Sequence, residues 1–241
     1  MNVSEMTVSK PLIASGNGPQ LFRASASADW DARRLFMNFY SVTADGKKIA
    51  DHANCAVILE DTATWLKEWK RNAYLIKGRI DSLEQGVDQG QSHKVKRGLA
   101  YKLFGALVDY GQCYQGMQEV ILNSAQLEAT ARIKFQTTEK EENHYFSPYW
   151  VDSLGHIAGF VMNANDGIDS KRQVFVNHGW DSMRCTTRFS RNRVYQNYVR
   201  MQNIGGTMYA GDTYIFDGDD VVAIYQGVKV RQLSIFHVCI G

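Results

Sequence analysis

The sequence predicts an α+β fold in which antiparallel strands wrap a central, mostly apolar helix. Two observations carry that expectation. Short segments of alternating apolar and polar residues, bounded by Gly, Asn, Asp and Pro, recur along most of the chain. Between them, residues 151–163 read as a helix that is apolar on most of its circumference.

Taken in order, residues 6–13 and 20–28 alternate as strands around the turn Ser15-Gly-Asn-Gly-Pro19. Residues 35–42 and 53–59 are two more, joined by a turn at Ala44-Asp-Gly46. From Asp61 to about Leu83 the period becomes helical, with Trp65, Leu66, Trp69 and Ala73 at i, i+1, i+4 and i+8. Gly86-Val-Asp-Gln-Gly-Gln91 breaks that pattern and reads as a linker or exposed loop. Residues 98–108 are helical again, and 110–117 approach a strand from a turn. Residues 116–122 and 129–135 form a hairpin-like pair, and the charged stretch 137–143 is a solvated loop. After the 151–163 helix come strands at 173–177, 183–189, 194–202, 207–216 and 221–230. Asn203-Ile-Gly-Gly206 and Asp217-Gly-Asp219 supply hairpin turns. One long helix wrapped by four or five antiparallel strands is a hotdog arrangement, while the first block offers similar strands without a matching helix.

At 241 residues the chain can bury a substantial core, as one large domain or two fused small ones. Hydrophobic residues at 44% and charged residues at 22% are ordinary for a soluble globular protein. A net charge of +2 is too small to argue for nucleic acid or an anionic membrane. No apolar run reaches the roughly 20 residues that span a bilayer. The N-terminus has neither the basic nor the apolar region of a secretory signal, so a cytoplasmic location is expected. Cys55, Cys113, Cys185 and Cys239 lie far apart, which argues against a zinc site or a disulfide framework. Twelve tyrosines, eleven phenylalanines and five tryptophans exceed the needs of a minimal core, and fit a large β core or a ligand channel.

The chemistry concentrates in Asp152 and His156, four residues apart at the head of the apolar helix. On spacing alone Asp152 reads equally well as an N-terminal capping acid and as a group that orients an imidazole or protonates a substrate oxygen. His156 falls one turn later on the same face. A single histidine on such a helix is more often a satisfied structural residue than a catalyst. Asn177 and His178 end a predicted strand, where they could donate to a carbonyl oxygen or cap a turn. His52, His93, His144 and His237 have no acid at an informative spacing and read as structural or exposed. The run Asp217–Asp220 lacks the remaining ligands of a calcium loop and reads as a hairpin turn. Lys94, Lys96 and Arg97 read as a solvated basic face. No Walker loop, Rossmann glycine pattern, G-x-S-x-G elbow or H-E-x-x-H is present.

Six segments occur in an informative order: Val3-Ser-Glu-Met6, Gly16-Asn-Gly-Pro-Gln-Leu21, Asp51-His-Ala-Asn-Cys55, Tyr101-Lys-Leu-Phe104, Asp152-Ser-Leu-Gly-His-Ile-Ala-Gly-Phe160 and Gln173-Val-Phe-Val-Asn-His-Gly-Trp-Asp-Ser182. With them the chain, from Met1 to about Arg231, resembles the product template domain of fungal non-reducing polyketide synthases, a relative of polyketide dehydratase domains. The resemblance implies a double hotdog, here incomplete, with the first hotdog lacking its N-terminal part. It implies 1–85 as the end of the first hotdog with a connecting helix, 86–97 as a linker, 98–231 as the second hotdog, and 232–241 as a divergent tail. It further implies regioselective aldol cyclisation and aromatisation of a poly-β-keto chain held on the phosphopantetheine of an acyl carrier protein. No other cofactor and no metal is implied. The carrier protein and the other synthase domains are the implied partners, a homodimer is possible, and neither nucleic acid nor a membrane is expected.

By the same resemblance Asp152 is the aspartate of a histidine–aspartate dyad, in a D-x-x-x-[Q/H] motif. His156 fills the Q/H position and Asn177 is a pocket asparagine. The family's histidine stands in an H-x-x-x-G-x-x-x-x-P motif, and no complete copy occurs in these 241 residues. The chain is therefore expected to be catalytically deficient alone. Two other readings are a non-catalytic remnant that docks a carrier protein or partner chain, and a dehydratase-like enzyme using His156 or His178 as base.

Overall fold

The computed structural model describes residues 2–13, 18–105, 108–138 and 144–234. Among them the strands are β1 (Asn2–Val8), β2 (Leu21–Asp29), β3 (Arg34–Val42), β4 (Lys48–Ile58), β5 (His93–Lys96), β6 (Met117–Asn123), β7 (Glu128–Ile133), β8 (Gln173–Cys185), β9 (Tyr195–Gly205), β10 (Met208–Asp217) and β11 (Asp220–Ser234). The helices are α1 (Thr62–Asp88), α2 (Arg97–Phe104) and α3 (Pro148–Asn163). All the strands join one sheet in the order β2-β3-β4-β1-β8-β11-β10-β9-β7-β6-β5, and every pairing is antiparallel.

The same winding occurs twice. In β1–β4 and again in β8–β11, the first strand pairs with the fourth, the fourth with the third and the third with the second. The seam is the β1–β8 pair, where Val3 lies opposite Met183 and Met6 opposite Trp180. At that seam Gly179 has φ +131, and a Cβ there would lie 1.9 Å from the Met6 carbonyl oxygen. Only glycine allows both the left-handed backbone and that approach. The two strands expected at 173–177 and 183–189 are thus one strand, β8, with an irregular register near Gly179. Asn177 and His178 sit inside it rather than at its end.

Helix α3 lies on one face of the second half. Leu154, Ile157, Phe160 and Val161 are fully buried there against Met117, Ile133, Val199 and Ile215. Each such side chain contributes about 1.5–3 kcal/mol of burial. Gly116 lets the helix approach, because a Cβ at that position would come within 2.7 Å of the Ser153 Cβ. Asn197, buried in β9, donates to the Leu154 carbonyl at 2.5 Å and pins the middle of the helix.

Helix α1 covers the opposite face, burying Trp65, Trp69, Ile80 and Leu83 against Ile121, Tyr198, Phe216 and Ile224. Leu66, expected on its apolar side, is exposed. Asp61 caps α1 by accepting from the Ala63 amide at 2.9 Å. The helix runs on to Asp88 with Gly86 buried, so the loop expected at 86–91 is in its first half helical. Residues 93–96 pair with β6 as a strand. Residues 110–117 form a 3-10 turn at Gln112–Tyr114 before β6 rather than a strand. At the other end β11 continues through Gln232, Leu233 and Ser234, paired with Phe175, Val174 and Gln173, into the segment expected to diverge. The turn at Ser15–Pro19, the loop at 137–143 and the tail from residue 235 lie partly or wholly outside the described residues.

Candidate active site

The site is a cleft of about 300 Å³ between α3 and the inner face of β8 and β11. Its walls are apolar: Val151, Ala158, Phe175, Trp180, Met183, Tyr225, Val228 and Val230. Asp152, His156 and Asn177 provide the polar groups. The three residues that the resemblance assigns to a site therefore meet at one cleft, whereas His178, the other candidate base, does not line it.

Helix α3 begins at Pro148, whose fixed φ suits a first helical position. That start lies three residues before the predicted one and moves Asp152 beyond the first turn, where no acidic residue stands. Asp152 is consequently not a capping acid. Its carboxylate is 46% exposed and opens on the cleft, while Oδ2 lies 2.7 Å from Nε2 of His156. The imidazole is buried, and its Nδ1 lies 3.1 Å from the Tyr101 hydroxyl. Tyr110 packs on the ring at 4.1 Å between centroids, with Phe104 at 5.8 Å. Both ring nitrogens of His156 are thus engaged, so it orients Asp152 rather than presenting a free nitrogen to a ligand.

Burial is the main cause that pushes the Tyr101 and Tyr110 hydroxyls far above the ordinary phenol range, and the Asp152 charge adds to it. Tyr225 is raised by burial, by Cys185 and by Asp152, and it donates to the Val151 carbonyl at 3.3 Å. These phenols stay neutral at physiological pH, and Tyr225 and Tyr101 act as donors.

Asn177 is exposed, and its Oδ1 accepts from the Gly179 amide at 2.8 Å. Its NH2 group is left to donate into the cleft. Asn163 ties the end of α3 to β8, donating to the Phe175 carbonyl at 3.0 Å and accepting from the Phe175 amide at 2.9 Å. Trp180 braces the wall by donating from Nε1 to the Val3 carbonyl at 3.0 Å.

His178 does not line the cleft, and burial together with Arg231 and Lys229 depresses its basicity. His52 is buried in the other half, bound to the Lys10 carbonyl and the Ser41 hydroxyl, each at 3.0 Å. His237 is followed four positions later by Gly241, the last residue of the sequence, and both lie outside the described residues. Residues 217–220 form the β10–β11 turn, with Arg193 paired to Asp217 and Lys77 to Asp219. Among the described residues no helix is long and apolar enough to cross a membrane.

Sequence reasoning missed Tyr225, Met183, Tyr110 and Asn163, and gave Trp180 no role although it stands in the Gln173–Ser182 segment. Their roles depend on which strand lies beside which, and no local spacing encodes that. Tyr101 stood in a quoted segment but with no role.

The polyketide synthase dehydratase N-terminal domain model matches residues 82–235. A non-reducing polyketide synthase of Byssochlamys spectabilis is 56% identical over 231 residues, which cover 96% of this chain and 11% of that protein. The conidial pigment polyketide synthase alb1 of Aspergillus fumigatus is 50% identical over 234 residues, covering 97% of this chain and 11% of that protein. The chain thus spans about a tenth of the length of the curated relatives it matches. Among solved structures, the dehydratase domain from the CurJ module of curacin polyketide synthase superposes with a TM-score of 0.70 at 15% identity, covering 98% of this chain and 76% of that one. The H996F inactive mutant of the CurK dehydratase gives 0.68 at 15% identity, covering 97% and 75%. These likenesses establish a dehydratase-like hotdog fold of α+β class.

Proposed function

The chain belongs to the polyketide synthase dehydratase family, and on that premise we propose that its cleft folds a carrier-bound poly-β-ketone for regioselective aldol cyclisation, as in a product template domain. The observation that carries this reading is a half-exposed carboxylate, Asp152, fixed by a buried imidazole at the polar end of an otherwise apolar cleft. An apolar slot admits a flexible chain, and a few convergent polar groups set its register.

The reaction removes a proton from a carbon between two carbonyls. The enolate carbon bonds to a second carbonyl carbon of the same chain, whose oxygen takes up a proton. Loss of water then lets the ring aromatise. Oδ1 of Asp152, the oxygen that His156 leaves free, is placed to relay a proton: it takes one up from water and passes it to that carbonyl oxygen, returning to the carboxylate. The Asn177 NH2 group is placed to hold a neighbouring carbonyl. Rate and regiochemistry both come from bringing a single carbon pair into reach. The phosphopantetheine arm of the carrier protein delivers the chain as substrate, and the other synthase domains are the remaining partners.

The carbon acid also needs a base. Among the described residues no histidine turns an unengaged ring nitrogen to the cleft, so the 241-residue chain alone is expected to close rings no faster than the spontaneous background. Incubation with a carrier-bound poly-β-ketone measures this, and regioselective closure by the chain alone would show that one of its own groups serves as base. The cleft itself is tested by substituting this chain for the matching 231-residue segment of the Byssochlamys spectabilis synthase. We expect one ring-closure pattern, and Asp152→Asn should lower its rate by about 10²-fold or more. An unchanged rate and product pattern for Asp152→Asn would remove Asp152 from the mechanism.

One further observation favours a second reading, a non-catalytic piece that pairs with another chain or copy. The apolar face of β2 and β3 includes exposed Phe22, Ala24, Ala26 and Ala28, and such a surface invites a partner. A cooperative, monodisperse monomer in solution would count against it.

A further inference from the structure

We propose that Tyr101 is a positioning residue of the site: its hydroxyl locks His156 in the neutral Nε2–H form and thereby leaves Asp152 Oδ1 as the only carboxylate oxygen free for the substrate. The proposal deepens the reading of the cleft as a cyclisation site and rests on it for its functional meaning.

The argument is a count of protons and lone pairs around one buried oxygen. The Tyr101 hydroxyl has one proton to give and accepts from the Met117 amide at 3.0 Å. Two acceptors are in range, Nδ1 of His156 at 3.1 Å and the Tyr114 carbonyl at 3.2 Å. The distances do not separate them, but the occupancy of the carbonyl does. The Tyr114 oxygen already accepts from the Ser153 hydroxyl at 2.8 Å and from the Gly116 amide at 2.9 Å. Both of its lone pairs are used, so the Tyr101 proton goes to His156 Nδ1.

A nitrogen that accepts carries no proton, so the ring proton resides on Nε2 and is donated to Asp152 Oδ2 at 2.7 Å. The result is a one-way chain of donors from the Met117 amide through Tyr101 and His156 to the carboxylate. It ties α2, β6 and α3 to one oxygen of Asp152. Tyr110, tilted against the imidazole at 4.1 Å between centroids, and Phe104, in an edge arrangement at 5.8 Å, crowd the rotation that would exchange the two nitrogens. The opposite chain, with Asp152 donating from Oδ2 to a bare Nε2, would require Nδ1–H and a third donor on the Tyr114 carbonyl.

Side-chain 15N spectra of histidine in the 241-residue chain at neutral pH test this without substrate. For His156 we expect one bare nitrogen, Nδ1, and one protonated nitrogen, Nε2. A spectrum with Nδ1 protonated, alone or together with Nε2, would overturn the proposal. Tyr101→Phe should move the Nδ1 signal towards that of a nitrogen without a hydrogen bond, and an unmoved signal would equally overturn it. Should that variant not fold, 3-fluorotyrosine at position 101 keeps the shape and strengthens the donor, moving Nδ1 in the opposite sense; no movement again refutes the link. None of these readouts depends on turnover. An inert Asp152→Asn in the segment exchange would therefore refute the catalytic reading alone, and the spectra the proton arrangement alone.

Discussion

The halves β1–β4 and β8–β11 share one winding order, yet differ in what lies on their inner face. In the second half that face is closed by α3, and Val199 and Ile215 are fully buried. In the first half Phe22, on the face that continues across the seam from Met183, remains 48% exposed, and no described helix covers it. Both halves also hold a buried histidine. His156 touches a carboxylate at the cleft, whereas His52 is bound only to a backbone carbonyl and a hydroxyl. Strand order alone therefore builds the sheet without building a site. The helix supplies the acid, the second wall and the dry surroundings that make the acid useful.

The largest expected effect tests that difference directly. Phe160→Ala empties a fully buried position on α3 and should cost about 3–5 kcal/mol in equilibrium denaturation. Phe39→Ala, on the apolar face of the first half, should cost less than about 1.5 kcal/mol, because water already reaches that surface. Equal costs would mean that the first-half face is covered in solution, and the contrast between the halves would fail. Next comes the seam. Gly179→Ala drives a methyl into the Met6 carbonyl on a left-handed backbone and should cost about 2–4 kcal/mol. Limited proteolysis should then cut within β1–β4 first, and an unchanged cleavage pattern would show that the halves do not rely on that contact.

A smaller effect probes the outer face, where Arg79 of α1 forms two hydrogen bonds to buried Glu128, at 2.9 and 2.6 Å, and Tyr198 donates to the same carboxylate. Burial alone would raise this carboxyl, but Arg79 and Tyr198 outweigh it and hold it below its ordinary range. The unfolded chain then binds the proton more readily than the folded one. The stabilisation is complete above the ordinary carboxylate pKa and is lost as pH falls through the lower folded value. Glu128→Gln should cost about 1–3 kcal/mol at neutral pH and flatten the loss of stability below about pH 4. Identical acid profiles for variant and parent would assign the acid sensitivity elsewhere.

The sequence made the two half-repeats, the α1 and α3 helices and most turns legible, because each rests on local periodicity or on residues such as Gly46 and Gly218 with positive φ. The Asp152–His156 pair was legible for the same reason, since four residues on a helix is one turn. The extent of β8 was not. The pattern across Asn177-His-Gly179 looks like a strand end, and only the close approach of Met6, from the far end of the chain, explains why the strand continues through a glycine. Tyr101 shows the same limit. Its hydroxyl reaches a histidine 55 positions away, a contact fixed by how α2 and α3 pack rather than by any spacing.

The smallest expected effect asks whether seam and cleft are one structure. Trp180 belongs to both, donating its indole N–H to the Val3 carbonyl and lining the cleft beside Asn177. Trp180→Phe keeps an aromatic wall but removes the donor, so it should cost about 1 kcal/mol in stability. It also leaves the six-membered part of the indole unreplaced and widens the slot. If the seam sets the cleft wall, the segment exchange carrying this variant should give a broader mixture of ring-closure products together with the small stability loss. Lost stability with an unchanged product pattern would separate the two, making the β1–β8 contact a matter of folding and leaving regiochemistry to α3 and β11.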